Sequence, residues 1–399
     1  MPKENEGGKV KKGGAGKKPD YAKMALAVHK KLKGKLSVVS KAPLKTKDDW
    51  STLYTPGVGA VSSYLAKKPA EASMYTAKGN TVAVISDGSA VLGLGDLGPV
   101  ASLPVMEGKC VIFKEMAGID AIPLVLNAHT EDEIVAAVKA VAPTFGGINL
   151  EDIAAPKCFA IEERLKRELD IPIIHDDQHG TAIVVLAGLL NAVKVVGKKF
   201  ELLRVVIVGA GAAGRSIALL LKKAGILNVI VVDSQGAIYK GRKGLLGYKQ
   251  HLAEATNPNK IAGDVMSVVA GADVIVGVSG PGTIAQAHIM QMAEKPIVFA
   301  LANPIPEIMP EDAKRAGAFV VATGRSDFPN QVNNALAFPG LFRGALDNKV
   351  KAITDEHKIA VAKKIASLVK NPTAEEIIPS VMLPGLVKAV ASAIKNPKK

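Results

Sequence analysis

Two pairs of carboxylates stand at the ends of short apolar runs. Glu151 and Asp152 follow INL (148–150), and Asp176 and Asp177 follow IPIIH (171–175), with 25 positions between Asp152 and Asp177. In open α/β sheets the carboxyl ends of the strands border the ligand crevice, so two strand ends carrying acids bring them to one place. Three or more carboxylates meeting there repel one another unless a cation neutralises them, and oxygen-only ligation selects Mg²⁺ or Mn²⁺ over zinc. Asp152 and Asp177 also sit where an aspartate would cap a helix, a commoner role for a lone Asp. The pairing at two strand ends favours the metal. His175 and His179 are four apart, but Asp-Asp-Gln lies between them in place of a zincin's Glu-x-x, so both are read as structural.

A second constellation is Gly209-Ala210-Gly211-Ala212-Ala213-Gly214, which follows the run LRVVIV (203–208) and precedes a helical stretch to about 223. Asp233 ends the next apolar run, NVIVVD (228–233). That is the full context of a dinucleotide-binding turn. The glycines let backbone N–H groups and the helix N-terminus approach a pyrophosphate, and Asp233 is placed to accept from a ribose hydroxyl. No arginine adjoins Asp233, which tilts the cofactor to NAD over NADP; Lys240, Arg242 and Lys243 lie beyond it in a loop that can fold back toward a 2′-phosphate. The string Gly93-Leu-Gly95-Asp-Leu-Gly98 also fits the glycine pattern, but Pro99 and Pro104 argue against a dinucleotide helix there. It reads as a turn packed closely against another segment.

Tyr54, in LYTPGVGA, is held at a Pro-Gly turn, and Lys109, in MEGKCVIF, opens an apolar run read as a strand. Buried, such a lysine has a lowered pKa and can act as a base; at a strand edge it merely snorkels. Neither residue decides its role alone.

The elements that would position these groups alternate. Strands are expected at 81–86, 110–113, 148–150, 171–175, 203–208, 228–233, 272–278, 296–302 and 318–322. Helices are expected at 21–32, 131–141, around 156–169, from 180 onward, after 211, and around 353–370 and 383–395. Thr130 and Glu133 form a capping box for the 131–141 helix. This alternation implies an α/β chain with a doubly wound parallel sheet of Rossmann type and a smaller α/β domain before it. The expected division is a disordered basic tail at 1–20, an N-terminal domain at 21–165 and a dinucleotide-binding domain with C-terminal helices at 166–399.

With 399 residues, 48% of them apolar, the chain can bury large cores, and 4% aromatics leave little for a base-stacking surface. The net charge of +14 is concentrated at the ends: +9 in residues 1–50, +6 in 349–399 and −1 between. The excess is all lysine, without the arginine forks that read phosphate, so only weak polyanion contact is expected and no specific nucleic-acid partner. No run resembles a signal h-region or about 18 uninterrupted apolar residues, and two lone cysteines make no disulfide framework, so a cytoplasmic protein without membrane partner is expected.

Taken in order, YTPGVG (54–59), VLGLGDLGP (91–99), MEGKCVIFKEMAGIDAIPL (106–124), LEDI (150–153), HDDQHGTA (175–182), GAGAAG (209–214), LANP (301–304) and NNALAFPG (333–340) resemble a short-subunit malic enzyme from about residue 21 to 390. The resemblance implies metal-dependent oxidative decarboxylation of L-malate to pyruvate and CO2 with reduction of NAD or NADP. It implies that Tyr54 is the general acid, Lys109 the general base in contact with substrate, and Asp176 the neighbour that sets proton positions. It assigns the Mg²⁺ or Mn²⁺ to Glu151, Asp152 and Asp177. It places Asn303 against substrate and cofactor, Asn334 against substrate, and the chain in a homodimer, with a site completed across the interface. The larger malic enzymes carry an arginine for substrate carboxylate just before LGLGDLG; here that position is Ala90, so malate's second carboxylate needs other donors. The rival readings are another metal-assisted, NAD-linked 2-hydroxy-acid dehydrogenase, an oxaloacetate decarboxylase, and a dinucleotide-binding sensor without catalysis.

Overall fold

The structure, a computed structural model, describes residues 20–245 and 247–396. The expected disordered tail lies outside the described residues, except Asp20. The chain divides into two compact units, one ending at Ser37 and the other running from Val38. In the first, Asp20 caps the Tyr21–Leu32 helix by accepting from the Lys23 amide at 3.1 Å, and Lys33 ends it in the left-handed conformation. None of that helix's side chains is buried.

The second unit holds two sheets. The first contains β1 (Thr81–Ser86), β2 (Asp120–Val125), β3 (Gly147–Leu150) and β4 (Ile173–His175), all parallel in the order β2-β1-β3-β4. The register pairs Ile85 with Leu150 and Leu150 with His175. Because the strands run the same way, the residues just past those three positions leave the sheet on one edge, and Glu151 and Asp176 are among them. β4 lies beyond residue 165 yet forms the edge strand of this first sheet.

The second sheet contains β5 (Arg204–Val208), β6 (Asn228–Asp233), β7 (Gly236–Ala237), β8 (Val274–Gly277), β9 (Ile297–Ala300) and β10 (Val320–Thr323). Their order is β10-β9-β8-β5-β6-β7, parallel except for the short antiparallel β7. The chain winds outward in opposite directions from β5, so the crevice between β5 and β8 is the topological switch point where α/β sheets bind ligands. β5, β8 and β9 are buried on both faces, which is why they read as uninterrupted Val/Ile runs.

Residues 110–113, expected as a strand, lie inside a helix, Pro99–Ala117. Four apolar residues in a row do not distinguish a buried strand from a buried helix. The spacing of the buried positions does: Ser102, Met106, Lys109, Cys110 and Phe113 recur at three and four. Pro99 occupies the first helical position, where its missing N–H costs nothing, and Gly118 closes the helix at φ 64°. The 131–141 helix carries the expected capping box, Glu133 N–H donating to Thr130 Oγ1 at 3.2 Å and Thr130 N–H to Glu133 at 3.0 Å.

The Asp176–Val196 helix is long and apolar enough by composition to cross a membrane, but most of it is buried between the sheets' partners and it opens on two carboxylates. It is the core helix of the unit. By contrast, no side chain between Val38 and Asn80 is buried, although this stretch includes Trp50, Leu53, Tyr54, Val58, Val61 and Tyr75.

Candidate active site

Lys109 is delivered by the middle of the Pro99–Ala117 helix rather than by a strand. Its ammonium lies 2.7 Å from Asp176 Oδ2, 2.8 Å from Glu151 Oε1 and 4.4 Å from the centre of the Phe338 ring. Burial, the largest influence on the amine, favours the neutral form; Asp176 and Glu151 together outweigh it and hold Lys109 above the usual lysine range.

Glu151, Asp152 and Asp177 each offer an oxygen, and these three atoms lie within 4.8 Å of one another. Asn149 donates to Glu151 at 2.8 Å, and the Asp152 amide donates to Asp177 at 2.9 Å. Asp152 takes φ 53°, and its carbonyl accepts from the Ala90 amide at 3.0 Å. The residue in the place of the larger enzymes' arginine thus braces a candidate metal ligand through its backbone. Burial and then the Asp177 charge push the Asp152 carboxyl up to about 7. Burial likewise raises Glu151 and Asp176, although Lys109 works against it in both. Asp152 Oδ2 and Asp176 Oδ1 are buried with no hydrogen-bond partner. Four carboxylates against the one ammonium, with orphaned oxygens among them, are what a divalent cation would satisfy, and the all-oxygen donor set suits Mg²⁺ or Mn²⁺.

His175 is fully buried beside this group, and His179 pairs at 2.8 Å with Glu162. Burial lowers the His179 pKa to about 4, so its ring is neutral. Glu162 also accepts from the His175 amide at 3.0 Å and from Lys166 at 2.6 Å. His179 is thus engaged by Glu162, whereas both ring nitrogens of His175 are buried without a hydrogen-bond partner, its Nδ1 3.8 Å from Asp177, and Glu162 anchors the start of the helix that carries Asp176 and Asp177.

At the other edge, Gly209, at φ 120°, turns the chain after β5, and a Cβ there would meet the Val278 carbonyl. A Cβ on Gly214 would fall onto the Gly209 carbonyl, whereas nothing in the protein lies within 4 Å of one on Gly211. Ala212 begins the helix Ala212–Lys223. Gly214 therefore packs helix on strand, and Gly211 faces space open to a ligand. This cradle fits a dinucleotide pyrophosphate.

Residues 33–166 match the family model of the malic enzyme N-terminal domain, and residues 178–395 that of the malic enzyme NAD binding domain. The chain belongs to the malic enzyme family.

Its relatives include the NAD-dependent malic enzyme of Geobacillus stearothermophilus, 54% identical over 363 residues, or 90% of this chain and 76% of that one. Another is the bifunctional malic/malolactic enzyme of Bacillus subtilis, 52% identical over 92% of both. Among solved structures, the malic enzyme of Pyrococcus horikoshii superposes with a TM-score of 0.90 at 48% identity, covering 94% of this chain and 89% of that one.

In this malic enzyme the structure brings together Lys109, Glu151, Asp152, Asp176 and Asp177, but not every residue singled out in the sequence. Tyr54 is 59% exposed, its ring edge-on to Trp50 at 5.9 Å. Among the described residues it makes no hydrogen bond to the lysine or the acids. Asn334 approaches the Asp176–Val196 helix at Gly180, where a Cβ would meet the Asp176 carboxylate and come within 3.0 Å of Asn334 Cβ. Asn303 sits between two glycines: a Cβ on Gly93 would strike its carbonyl and one on Gly324 its amide nitrogen at 2.6 Å. Of the second glycine string, only Gly93 packs closely in this way; a Cβ on Gly95 or Gly98 would meet nothing within 4 Å, and residues 92–97 are exposed. Three contributors were missed: Phe338 under the Lys109 ammonium, Asn149 behind Glu151, and Glu162. Phe338 lay within the recognised NNALAFPG segment; Asn149 and Glu162 carry no motif.

The glycine cradle yields a paired prediction. Gly214→Ala overpacks the helix against the turn, costing about 1–3 kcal/mol of stability. Gly211→Ala leaves the melting temperature nearly unchanged but weakens dinucleotide binding, because its methyl occupies only ligand space. Thermal melts and nucleotide titrations of the two proteins check this.

Proposed function

We propose that the chain catalyses the oxidative decarboxylation of L-malate to pyruvate and CO2 with reduction of NAD or NADP. The observation that carries this reading is one buried lysine set between Glu151 and Asp176, beside the oxygen cluster of Glu151, Asp152 and Asp177. A divalent cation held by those three would supply the Lewis acidity that the alcohol and the developing enolate need, and a nicotinamide cofactor on 209–233 would accept the hydride. Lys109 is the base for the C2 hydroxyl. Once Glu151 is engaged elsewhere, Lys109 keeps Asp176 as its ionic partner, and burial works toward the neutral amine that a base requires. Asp176 fixes the position of that nitrogen, Asn303 and Asn334 contact the substrate, and Tyr54 protonates C3.

The proposed division is an N-terminal domain, 21–165, which carries Tyr54, Lys109, Glu151 and Asp152, and a dinucleotide-binding domain, 166–399, which also supplies Asp176, Asp177, Asn303 and Asn334 to the site. The two buried, free thiols Cys110 and Cys158 agree with a cytoplasmic setting. Stoichiometry tests the reaction: one pyruvate and one CO2 form per reduced nucleotide. Reduction without CO2 would mean a plain 2-hydroxy-acid dehydrogenase, and CO2 from oxaloacetate alone a decarboxylase.

We further propose a homodimer in which Tyr54 serves the partner's site. Its support is the exposed phenol and the stretch from Val38 to Asn80, rich in apolar side chains and without a buried one. Mixing and reassociating the two inactive proteins Lys109→Ala and Tyr54→Phe tests it. Random pairing makes half the dimers mixed, each with one intact site, so about a quarter of wild-type activity returns. No recovery would place the acid within its own chain.

A further inference from the structure

Glu307 lies in the loop between β9 and the helix Pro310–Arg315. It is 1% exposed, and its two carboxylate oxygens go to two different loops. Oε1 accepts from the Ser279 amide at 2.9 Å, just past β8, and Oε2 from the Ala302 amide at 3.0 Å, just past β9. Its own carbonyl accepts from the Gly282 amide at 3.0 Å, so the loop after β8 is tied to Glu307 at two points. Gly277, the last residue of β8, makes room for the side chain: a Cβ there would come 2.6 Å from the Glu307 carboxyl carbon. Burial raises the Glu307 carboxyl, and backbone amides, those of Ala302 and Ser279 foremost, work against it. A carboxylate buried against neutral partners is a costly way to fill a core. What it supplies is two acceptors in one rigid plane, which hold two loops in a fixed relation.

Both loops lead to the site. Val278, beside Ser279, packs on the cofactor cradle: its carbonyl is what a Cβ on Gly209 would meet, and its Cγ2 lies 3.3 Å from one on Gly214. Ala302 precedes Asn303, which is hemmed in by Gly93 and Gly324. The next carbonyl, of Pro304, accepts from Arg325 at 3.2 Å, and Arg325 is itself forked onto Asp327 at 2.9 and 2.8 Å. A dinucleotide lying across the switch point with its adenosine half toward β6 sets its nicotinamide half toward β8 and β9. The two segments that Glu307 joins are then those that border the ring.

Resting on the reading of 209–233 as a dinucleotide site, we propose that Glu307 is a positioning residue for malate oxidation: it locks the loops after β8 and β9 together, so that the nicotinamide ring and Asn303 meet in one relation. A site is only as well oriented as the groups that support it from behind, and here that support is a single buried acid.

The test is calorimetric titration of the full chain with a reduced dinucleotide, NADH or NADPH, beside the same molecule without its nicotinamide, ADP-ribose or its 2′-phosphate. The pair reads the ring's own contribution without turnover. The wild type is expected to bind the ring-bearing form about tenfold tighter, because the loops around it are ordered beforehand. Glu307→Gln offers one acceptor and turns an N–H group toward the other amide. It should bring the ratio toward one and lower kcat for malate by about 10²-fold, while affinity for the ring-less molecule and stabilisation by Mn²⁺ stay as they were. Equal binding by the wild type, or a ratio unmoved in the variant, would overturn the proposal and leave the dinucleotide site intact. Loss of ring-less nucleotide and Mn²⁺ binding along with the ratio would make Glu307 a residue of general stability and overturn it as well. Hydrogen exchange in the wild type tests the same lock without a variant: the Ser279 and Ala302 amides should be protected before nucleotide is added, and free exchange at either would overturn it. Binding of neither nucleotide by the wild type would remove the dinucleotide site and the proposal with it.

Discussion

Replacing Lys109 with arginine is expected to lower kcat for malate oxidation by about 10²–10⁴-fold, the usual worth of a positioned general base. Arginine keeps the positive charge between Asp176 and Glu151 but does not release its proton at any working pH, so it separates the base role from the ion-pair role. Lys109→Ala should be as inactive and also less stable by about 3–5 kcal/mol, because removing one partner leaves buried carboxylates uncompensated. Steady-state kinetics on both proteins, with thermal melts beside them, check the pair of expectations. An active Lys109→Arg enzyme would assign the proton transfer to another group.

The second large effect is expected from Asp177→Asn. The amide oxygen can still accept from the Asp152 N–H, which Asp177 does at 2.9 Å, so the loop after β3 keeps its tether. What changes is charge. Asp177 is the leading charge that raises the Asp152 carboxyl after burial itself, and removing it relieves repulsion inside the cluster. The metal-free variant should therefore melt at or above the temperature of the metal-free wild type. Mn²⁺ should then fail to stabilise it, whereas the wild type gains about 2.7 kcal/mol at a hundredfold excess of ion over Kd. Turnover should fall with the lost affinity. A variant that melts lower without metal and still gains from Mn²⁺ would show Asp177 to be a helix cap and no ligand.

The second sheet was legible in the sequence because its strands are buried on both faces and announce themselves as Val/Ile runs ended by glycine or aspartate, as VVIVGAG and NVIVVD do. The carboxylate site was legible for a related reason: parallel strands in register deliver Glu151 and Asp176 to one edge, and short strands leave few positions where they can stand. Residues 110–113 misled because CVIF has no polar interruption to reveal its period. Pro99 also misled, since the same residue that breaks a helix interior is well suited to open one. Lys249 could not be read as a partner of Asp233, because it stands 16 positions further on, in the Tyr248–Ala255 helix, and only the fold brings the two together. Tyr54 was visible as a motif residue, but the structure leaves it exposed in a stretch from Val38 to Asn80 that buries no side chain.

The most direct test of this account is malate oxidation by the full chain before and after metal removal, followed at 340 nm with NAD and with NADP, as Mn²⁺ is returned in known amounts. The account predicts no turnover after chelation, and activity that returns in proportion to bound ion and saturates at one Mn²⁺ per chain, with pyruvate equal to reduced nucleotide. Full turnover by the chelated protein would contradict it.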